Sequence, residues 1–417
     1  MNRPDAVIQL AKDAKRAAST VATLTTDQKN EVLLRLAKLI SSNAESIKAA
    51  NEKDLASART DGLTDAKLRR LVLSDAAIAQ MSEGLRQVAA LPDPIGQVTL
   101  ERTVPSGLIV RKIRSPLGVV MMIYEARPNV TVDAFALCFK SSNTCILKGG
   151  REASHSNEKL ANLAKQALRE SKVDESAISP LITSDRDVIK KLLTLEQYID
   201  LVIPRGGETL IRFVHEHARI PTVLHFHGVC HIYVDASADI DQAIEICATA
   251  KTSAPATCNA AEAILVHQDI APKIAPRLIE RYIRDGVKVK GDSQIAALAN
   301  DVEPADEEDW GREFLDLIVA MKVVPDLDAA IEHIQRYGSN HTDAILTTDA
   351  DAARAFTDRV QSSCTLVNAS TRFNDGFQLG LGAEIGISTS KIHAYGPMGL
   401  EELTTQRYVV TGNGQYR

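Results

Sequence analysis

No two cysteines in this sequence stand at CxxC spacing. The six, Cys138, Cys145, Cys230, Cys247, Cys258 and Cys364, sit singly. Most fall within apolar runs, which argues against a zinc site or a disulfide frame and for a reducing, cytoplasmic setting. Long apolar runs are missing too, none approaching the ~20 residues of a membrane span. The opening stretch MNRPDAVIQLAKDAKRAAS reads as the start of an amphipathic helix and not as a signal peptide. Its Lys and Arg residues come with only two acids, which leaves a transit peptide as the alternative. Basic charge is not in excess: 48 Lys and Arg against 54 Asp and Glu, a net −6, offer no nucleic-acid surface. No GxGxxG occurs, so the standard dinucleotide fingerprint is absent. What remains, 417 residues at 45% hydrophobic, suffices for two or three cores.

Residues 4 to about 91 are patterned as helices, with Thr26 a candidate cap before Asp27, and Pro92 and Pro94 close this layer. From Gln97 to Arg114 the pattern alternates across Pro105-Ser106-Gly107, which predicts a β-hairpin. A βα alternation follows. Strands are expected at Gly118–Tyr124, Thr144–Lys148, Leu201–Pro204 and Thr222–His225, and helices at Val130–Phe139, Asn157–Ser171, Arg186–Leu195 and Glu208–His217. Such alternation implies an open, doubly wound parallel sheet that receives ligands beyond its strand C-ends. Two glycine pairs stand at such ends, Gly149-Gly150 and Gly206-Gly207. Each could let backbone approach a pyrophosphate, or be an ordinary tight turn. A second βα series runs from Ala263 to Asn368, and the apolar, glycine-rich stretch 374–400 is long enough to line something. LTTQRYVVTGNG reads as a final strand.

The residues that carry chemistry centre on Thr252–Asp269. Cys258 stands there among Ala254, Ala256, Thr257, Ala260 and Ala261, small neighbours that leave room for a carbonyl to reach sulfur. Pro255 favours a turn at Ala254. A helix starting near Asn259 would aim N–H groups at Cys258 and favour its thiolate. The alternative is a small buried cysteine in a loop.

Four blocks in order, SPLGVVMMIYEARPNVTVDAFALCFKSSNTCILKGGREA (115–153), ATCNAAE (256–262), HIQRYGSNHTDAILT (333–347) and NASTRFNDGFQLGLGAEIGISTSKIHAYGPMGLEELTT (368–405), carry a resemblance. Together they resemble the aldehyde dehydrogenase superfamily, and are most similar to its glutamyl-phosphate-reducing branch. That resemblance implies an α/β fold with an open parallel-sheet cofactor domain, a smaller α/β catalytic domain and a β-hairpin oligomerisation arm. The corresponding spans are 1–96 and 115–250 for the cofactor domain, 251–390 for the catalytic domain, and 97–114 with 400–417 for the arms. It further implies reduction of L-glutamyl 5-phosphate by NADPH, a homo-oligomer, and a transient complex with the preceding glutamate 5-kinase.

Residue by residue, the resemblance matches Cys258 to the nucleophile and Asn129 to the oxyanion-hole donor, although Asn129 could also cap a helix. Lys148 matches the lysine on the adenosine ribose and Glu313 the glutamate on the nicotinamide ribose. Arg151 stands where NAD-preferring members carry a glutamate. A guanidinium would pair with a 2′-phosphate, which points to NADPH, or could simply be solvated. The water-activating glutamate of hydrolytic members is absent, since VLHFHGVCHIYVD has no carboxylate before Asp235. His225-Phe226-His227 departs from the small residues expected there, as pocket-narrowing, phosphate-binding or core groups. For the substrate's amino-acid end the candidates are Arg127, Ser370, Thr371 and Arg372, with Asp375 for its ammonium. An acyl phosphate is already activated, so no metal is expected.

Overall fold

The computed structural model describes residues 4–125, 127–224 and 227–417, the side chains of 4, 65 and 66 excepted. Two compact units result. One runs to Leu224 and regains the chain at Gly380–Gly386 and Met398–Arg417; the other holds His225–Leu379 and Ile387–Pro397.

In the first unit four parallel strands lie in the order Ile178–Pro180, Thr144–Lys148, Val119–Tyr124, Leu201–Arg205. The central strand, VVMMIY, is buried at every residue. It therefore reads as a continuous apolar run, as strands covered on both faces do. On one face the helix Pro4–Val21 buries Val7, Ala11, Ala14 and Ala18 in a cluster with Val119, Met121 and Ile123. These fall at helical spacing, and each large apolar side chain so buried contributes about 1.5–3 kcal/mol. The helix Val130–Lys140 is apolar nearly all round and buried throughout except at Val130 and Asp133, which marks it as a core helix.

Two buried lysines tie the N-terminal helices to it. Lys140 donates to Asn30 Oδ1 at 2.6 Å and to the Ala89 carbonyl at 2.8 Å, and Lys29, paired with Asp93 at 2.5 Å, donates to Ser142 Oγ just past the helix at 2.9 Å. The cap of the second helix is Thr25, one residue before the expected Thr26, because only Thr25 stands three residues before Gln28 and closes a capping box. Gly118 (φ +125°) turns the chain into the central strand, where a Cβ would lie 2.2 Å from Asp200 Oδ2. Asp200 in turn receives the Val119 N–H and Lys15, both at 2.8 Å.

The expected hairpin is Val98–Thr103 and Ile109–Pro116, joined in an antiparallel sheet by the final strand Thr404–Thr411. It leaves Val98, Leu100, Tyr408 and Val410 exposed. The strand expected at Thr222–His225 reduces to a single bridge, Thr222 to Val202, and His225 lies outside the described residues.

The second unit has fewer residues but the larger sheet. Seven strands run Glu303–Pro304, Lys288–Gly291, Ile318–Val324, Ala261–His267, Cys230–Val234, Thr342–Leu346, Cys364–Val367. The boundary expected at 250/251 falls at 224/225. Its physical cause is Cys230–Val234, which pairs in parallel with both Ala261–His267 and Thr342–Leu346. The helix Ile240–Thr252 follows it into the same core, burying Ile244, Cys247 and Ala248 with Ile274, Leu278 and Tyr282. No helix begins near Asn259. The chain turns there and enters the strand Ala261–His267 directly.

Candidate functional site

In the second unit, residues 253–260 form the loop between the helix Ile240–Thr252 and the strand Ala261–His267. Cys258 is half-buried in it, whereas Cys138, Cys145, Cys230 and Cys247 are buried. Burial raises the thiols of Cys145, Cys230 and Cys247 well above the ordinary range and also raises half-buried Cys364.

The loop is held from three sides. At its base Lys251 and Glu262, both almost without exposure, form an ion pair at 2.6 Å. Burial lowers the Lys251 pKa and raises that of Glu262 to about 7, each partly opposed by the partner. Behind the cysteine lies Gly228, where a Cβ would stand 1.9 Å from the Cys258 carbonyl oxygen; only glycine fits. The Cys230 thiol donates to that same carbonyl at 3.2 Å. The Gly228 N–H donates to Glu313 Oε1 at 2.9 Å. Burial raises the Glu313 pKa, opposed by this bond and by exposed His227. Phe226, like His225, lies outside the described residues.

The third side is the turn 370–374. Arg372 Nη1 donates to Thr257 Oγ1 at 2.8 Å and to Asn259 Oδ1, and Nε donates to Ser253 Oγ at 3.3 Å. Asn259 Nδ2 donates back to the Asn374 carbonyl at 3.0 Å. Of the residues expected to meet a substrate, Ser370 accepts from the Arg372 N–H and is buried, and Thr371 has no exposure at all. Neither hydroxyl is on the surface. Asp375 accepts from the N–H groups of Phe377 and Gln378.

In the first unit a cavity of about 260 Å³ opens at the strand C-ends, with Gly149, Gly150 and Arg151 in its wall. Its wall also holds a neutral relay: Tyr124 Oη to Thr131 Oγ1 at 2.7 Å, and Thr131 to Asn157 Oδ1 at 3.1 Å. A Cβ at Gly149 would come 2.0 Å from Asn157 Nδ2, and one at Gly150 would come 2.1 Å from Glu152 Oε1. The paired glycines supply room. Thr183 and Ser184, which no local motif in the sequence marks, complete the polar rim. Lys148, half-buried, has its pKa lowered by burial against the pull of Glu152 and Glu125. Arg151 is exposed and paired with Asp61 at 3.2 Å. Gly207 begins the helix Glu208–His217 and donates its N–H to Glu125 at 3.2 Å, while Gly206 faces Glu125 and Leu210. Neither belongs to that cavity's wall.

Asn129 lies just ahead of the helix Val130–Lys140 but its side chain does not cap it. Its Nδ2 donates instead to Asp133 Oδ2 at 3.0 Å. Burial raises the Asp133 pKa to about 6, the bond from Asn129 opposing the rise. The i,i+4 spacing of Asn129 and Asp133 is the signal that could have found this pair. Arg127 is exposed in the loop between the central strand and that helix.

A model of the aldehyde dehydrogenase family matches residues 2–310. A gamma-glutamyl phosphate reductase from Desulforapulum autotrophicum is 50% identical over 408 residues, 98% of either chain. One from Geotalea daltonii is 48% identical over the full length of both. Among solved structures, a gamma-glutamyl phosphate reductase from Thermotoga maritima superposes with a TM-score of 0.97 at 41% identity, covering 99% of each chain. An acetylating aldehyde dehydrogenase from Geobacillus thermoglucosidasius, 16% identical over 99% of this chain and 98% of its own, shares the fold with a TM-score of 0.70.

Proposed function

This chain belongs to the aldehyde dehydrogenase family, and on that footing we propose that it reduces L-glutamyl 5-phosphate to L-glutamate 5-semialdehyde with NADPH, releasing phosphate, as a step of proline synthesis. The reductases named above support the substrate, matching from end to end at about half identity. The observation that carries the chemistry is Cys258, a half-buried thiol in a loop braced on three sides.

The Cys258 thiolate attacks the acyl carbon, and the oxyanion takes hydrogen bonds from the Asn129 amide and the Cys258 N–H. The carbon–oxygen bond to phosphate breaks and a thioester remains. NADPH, when bound, supplies the hydride that reduces it. The oxyanion of the resulting thiohemiacetal re-forms its carbonyl, the carbon–sulfur bond breaks, and the aldehyde leaves with Cys258 restored as the thiolate. No carboxylate stands among residues 220–234, where hydrolytic members of the family carry the one that activates water, which favours transfer of the acyl group over its hydrolysis.

The first unit fits a dinucleotide. Gly149 and Gly150 leave room for the adenosine end, Lys148 takes its ribose, and the Arg151 guanidinium meets a 2′-phosphate by exchanging Asp61 for it. Gly206 and Gly207, at the start of the helix Glu208–His217, take the pyrophosphate; Glu313, which belongs to the second unit, is the group for the nicotinamide ribose. Exposed Arg127 is the group for the substrate's carboxylate and Asp375, beside the Ser370–Thr371 turn, the group for its ammonium. The exposed apolar residues of the hairpin sheet support a homo-oligomer. Among the described residues no helix is long and apolar enough to cross a membrane, and a reducing cytoplasm suits six cysteines that form no disulfide.

The test is the reverse reaction with pyrroline-5-carboxylate, which is in equilibrium with the semialdehyde. NADP is reduced turnover after turnover when phosphate is present, and no further than one equivalent per Cys258 when it is left out. Equal rates with and without phosphate would show an aldehyde-oxidising dehydrogenase instead.

A further inference from the structure

Arg372 is half-buried, and among the described residues it has no carboxylate within ion-pair distance. Its guanidinium is bonded to three neutral side chains, all in the cysteine loop, and two of them, Thr257 and Asn259, are the residues on either side of Cys258. A cation removed from water without a counter-charge is costly and seeks an anion.

The other charges around the loop do not supply or remove one freely. On the helix before it, Lys251 is matched by Glu262 on the strand after it. From the segment behind, Cys230 is a buried thiol with a raised pKa and His227 faces Glu313. Glu313 itself accepts the Gly228 N–H, and Asp375 accepts two backbone N–H groups beyond the turn. Among the described residues, the cation bonded to the cysteine loop without a carboxylate partner is Arg372.

We propose that Arg372 is a positioning residue for the nucleophile: it clamps the residues flanking Cys258 and holds the sulfur as a thiolate, rather than receiving the substrate's carboxylate. The inference rests on Cys258 being the nucleophile, yet it can fail independently, because thiol ionisation is measured without turnover.

The experiment follows alkylation of Cys258 by iodoacetamide across pH, quantified on its peptide by mass spectrometry so that Cys364 does not interfere. The wild-type midpoint lies below the ~8.5 of an unperturbed cysteine. In Arg372→Gln it rises by about one pH unit or more, the effect of losing one nearby cation, and Arg372→Lys recovers part of the shift. kcat falls about tenfold in the Gln variant, while KM for pyrroline-5-carboxylate stays within about twofold. Thr257→Val, which keeps the cation and removes its acceptor, shifts the midpoint in the same direction and guards against misfolding of the charge variant. An unmoved midpoint in both Arg372→Gln and Thr257→Val would overturn the proposal. So would a KM raised about tenfold at an unchanged midpoint, which would make Arg372 the carboxylate receiver. Turnover by Cys258→Ala tests the underlying reading separately.

Discussion

The two units solve the problem of holding a reactive position in opposite ways. In the first, the cavity at the strand ends is made by leaving side chains out: Gly149 and Gly150 stand where any Cβ would collide with Asn157 or Glu152, and neutral hydroxyls and an amide line the wall. In the second, the cysteine loop is held mainly by charge, through a buried Lys251–Glu262 pair and the guanidinium of Arg372, with a single omission behind it at Gly228. A space kept open by omission tolerates changes of charge around it. A loop held by charge does not.

Lys251→Met sharpens this contrast most. It strands the Glu262 carboxylate, and a denaturant titration should show a loss of about 3–5 kcal/mol. The pH dependence has a definite sign. Glu262, already raised to about 7 with its partner present, rises further without it. A raised carboxyl contributes stability that is complete below the unfolded pKa of about 4.3 and is lost as pH rises through the folded value. The variant therefore weakens from pH 5 to pH 8, and a flat profile would contradict the buried-pair account.

Gly228→Ala comes next. Its methyl would overlap the Cys258 carbonyl, so the loop must shift by about an ångström, and kcat should fall about a hundredfold with the melting transition still cooperative. Full activity in that variant would break the claim that the loop has one permitted position.

On the other side of the comparison, Arg151→Ala leaves stability within about 0.5 kcal/mol, because its pair with Asp61 is exposed. Steady-state kinetics should show KM for NADPH rising about tenfold with KM for NADH nearly unchanged. The smallest effect is expected at Asp133. Its carboxyl, raised to about 6, contributes stability that is complete below about 3.9 and is lost as pH rises through 6. In Asp133→Asn, thermal melts should show a shallower decline across that window.

Local pattern carried much of this molecule. The buried run VVMMIY, the paired glycines and the alternation across Pro105-Ser106-Gly107 each reported their own element, because each is set by neighbours in the chain. What escaped depends on partners far away. Cys230–Val234 belongs with the cysteine half because it pairs with Thr342–Leu346, about 110 residues on, and nothing within CHIYV states that. Arg372 reaches Asn259 across 113 residues, and nothing within the turn's own sequence states that its guanidinium bonds the cysteine loop. Asp133 was different: its spacing from Asn129 was readable, and a short-range pair was overlooked beside a more familiar capping role.

The central claim is a covalent bond to one sulfur. Wild-type enzyme mixed rapidly with pyrroline-5-carboxylate and NADP in phosphate-free buffer, then quenched in acid and digested, should yield a glutamyl group on the peptide carrying Cys258, and none in Cys258→Ala. NADP reduction at an undiminished rate by Cys258→Ala, with no modified peptide from the wild type, would contradict it.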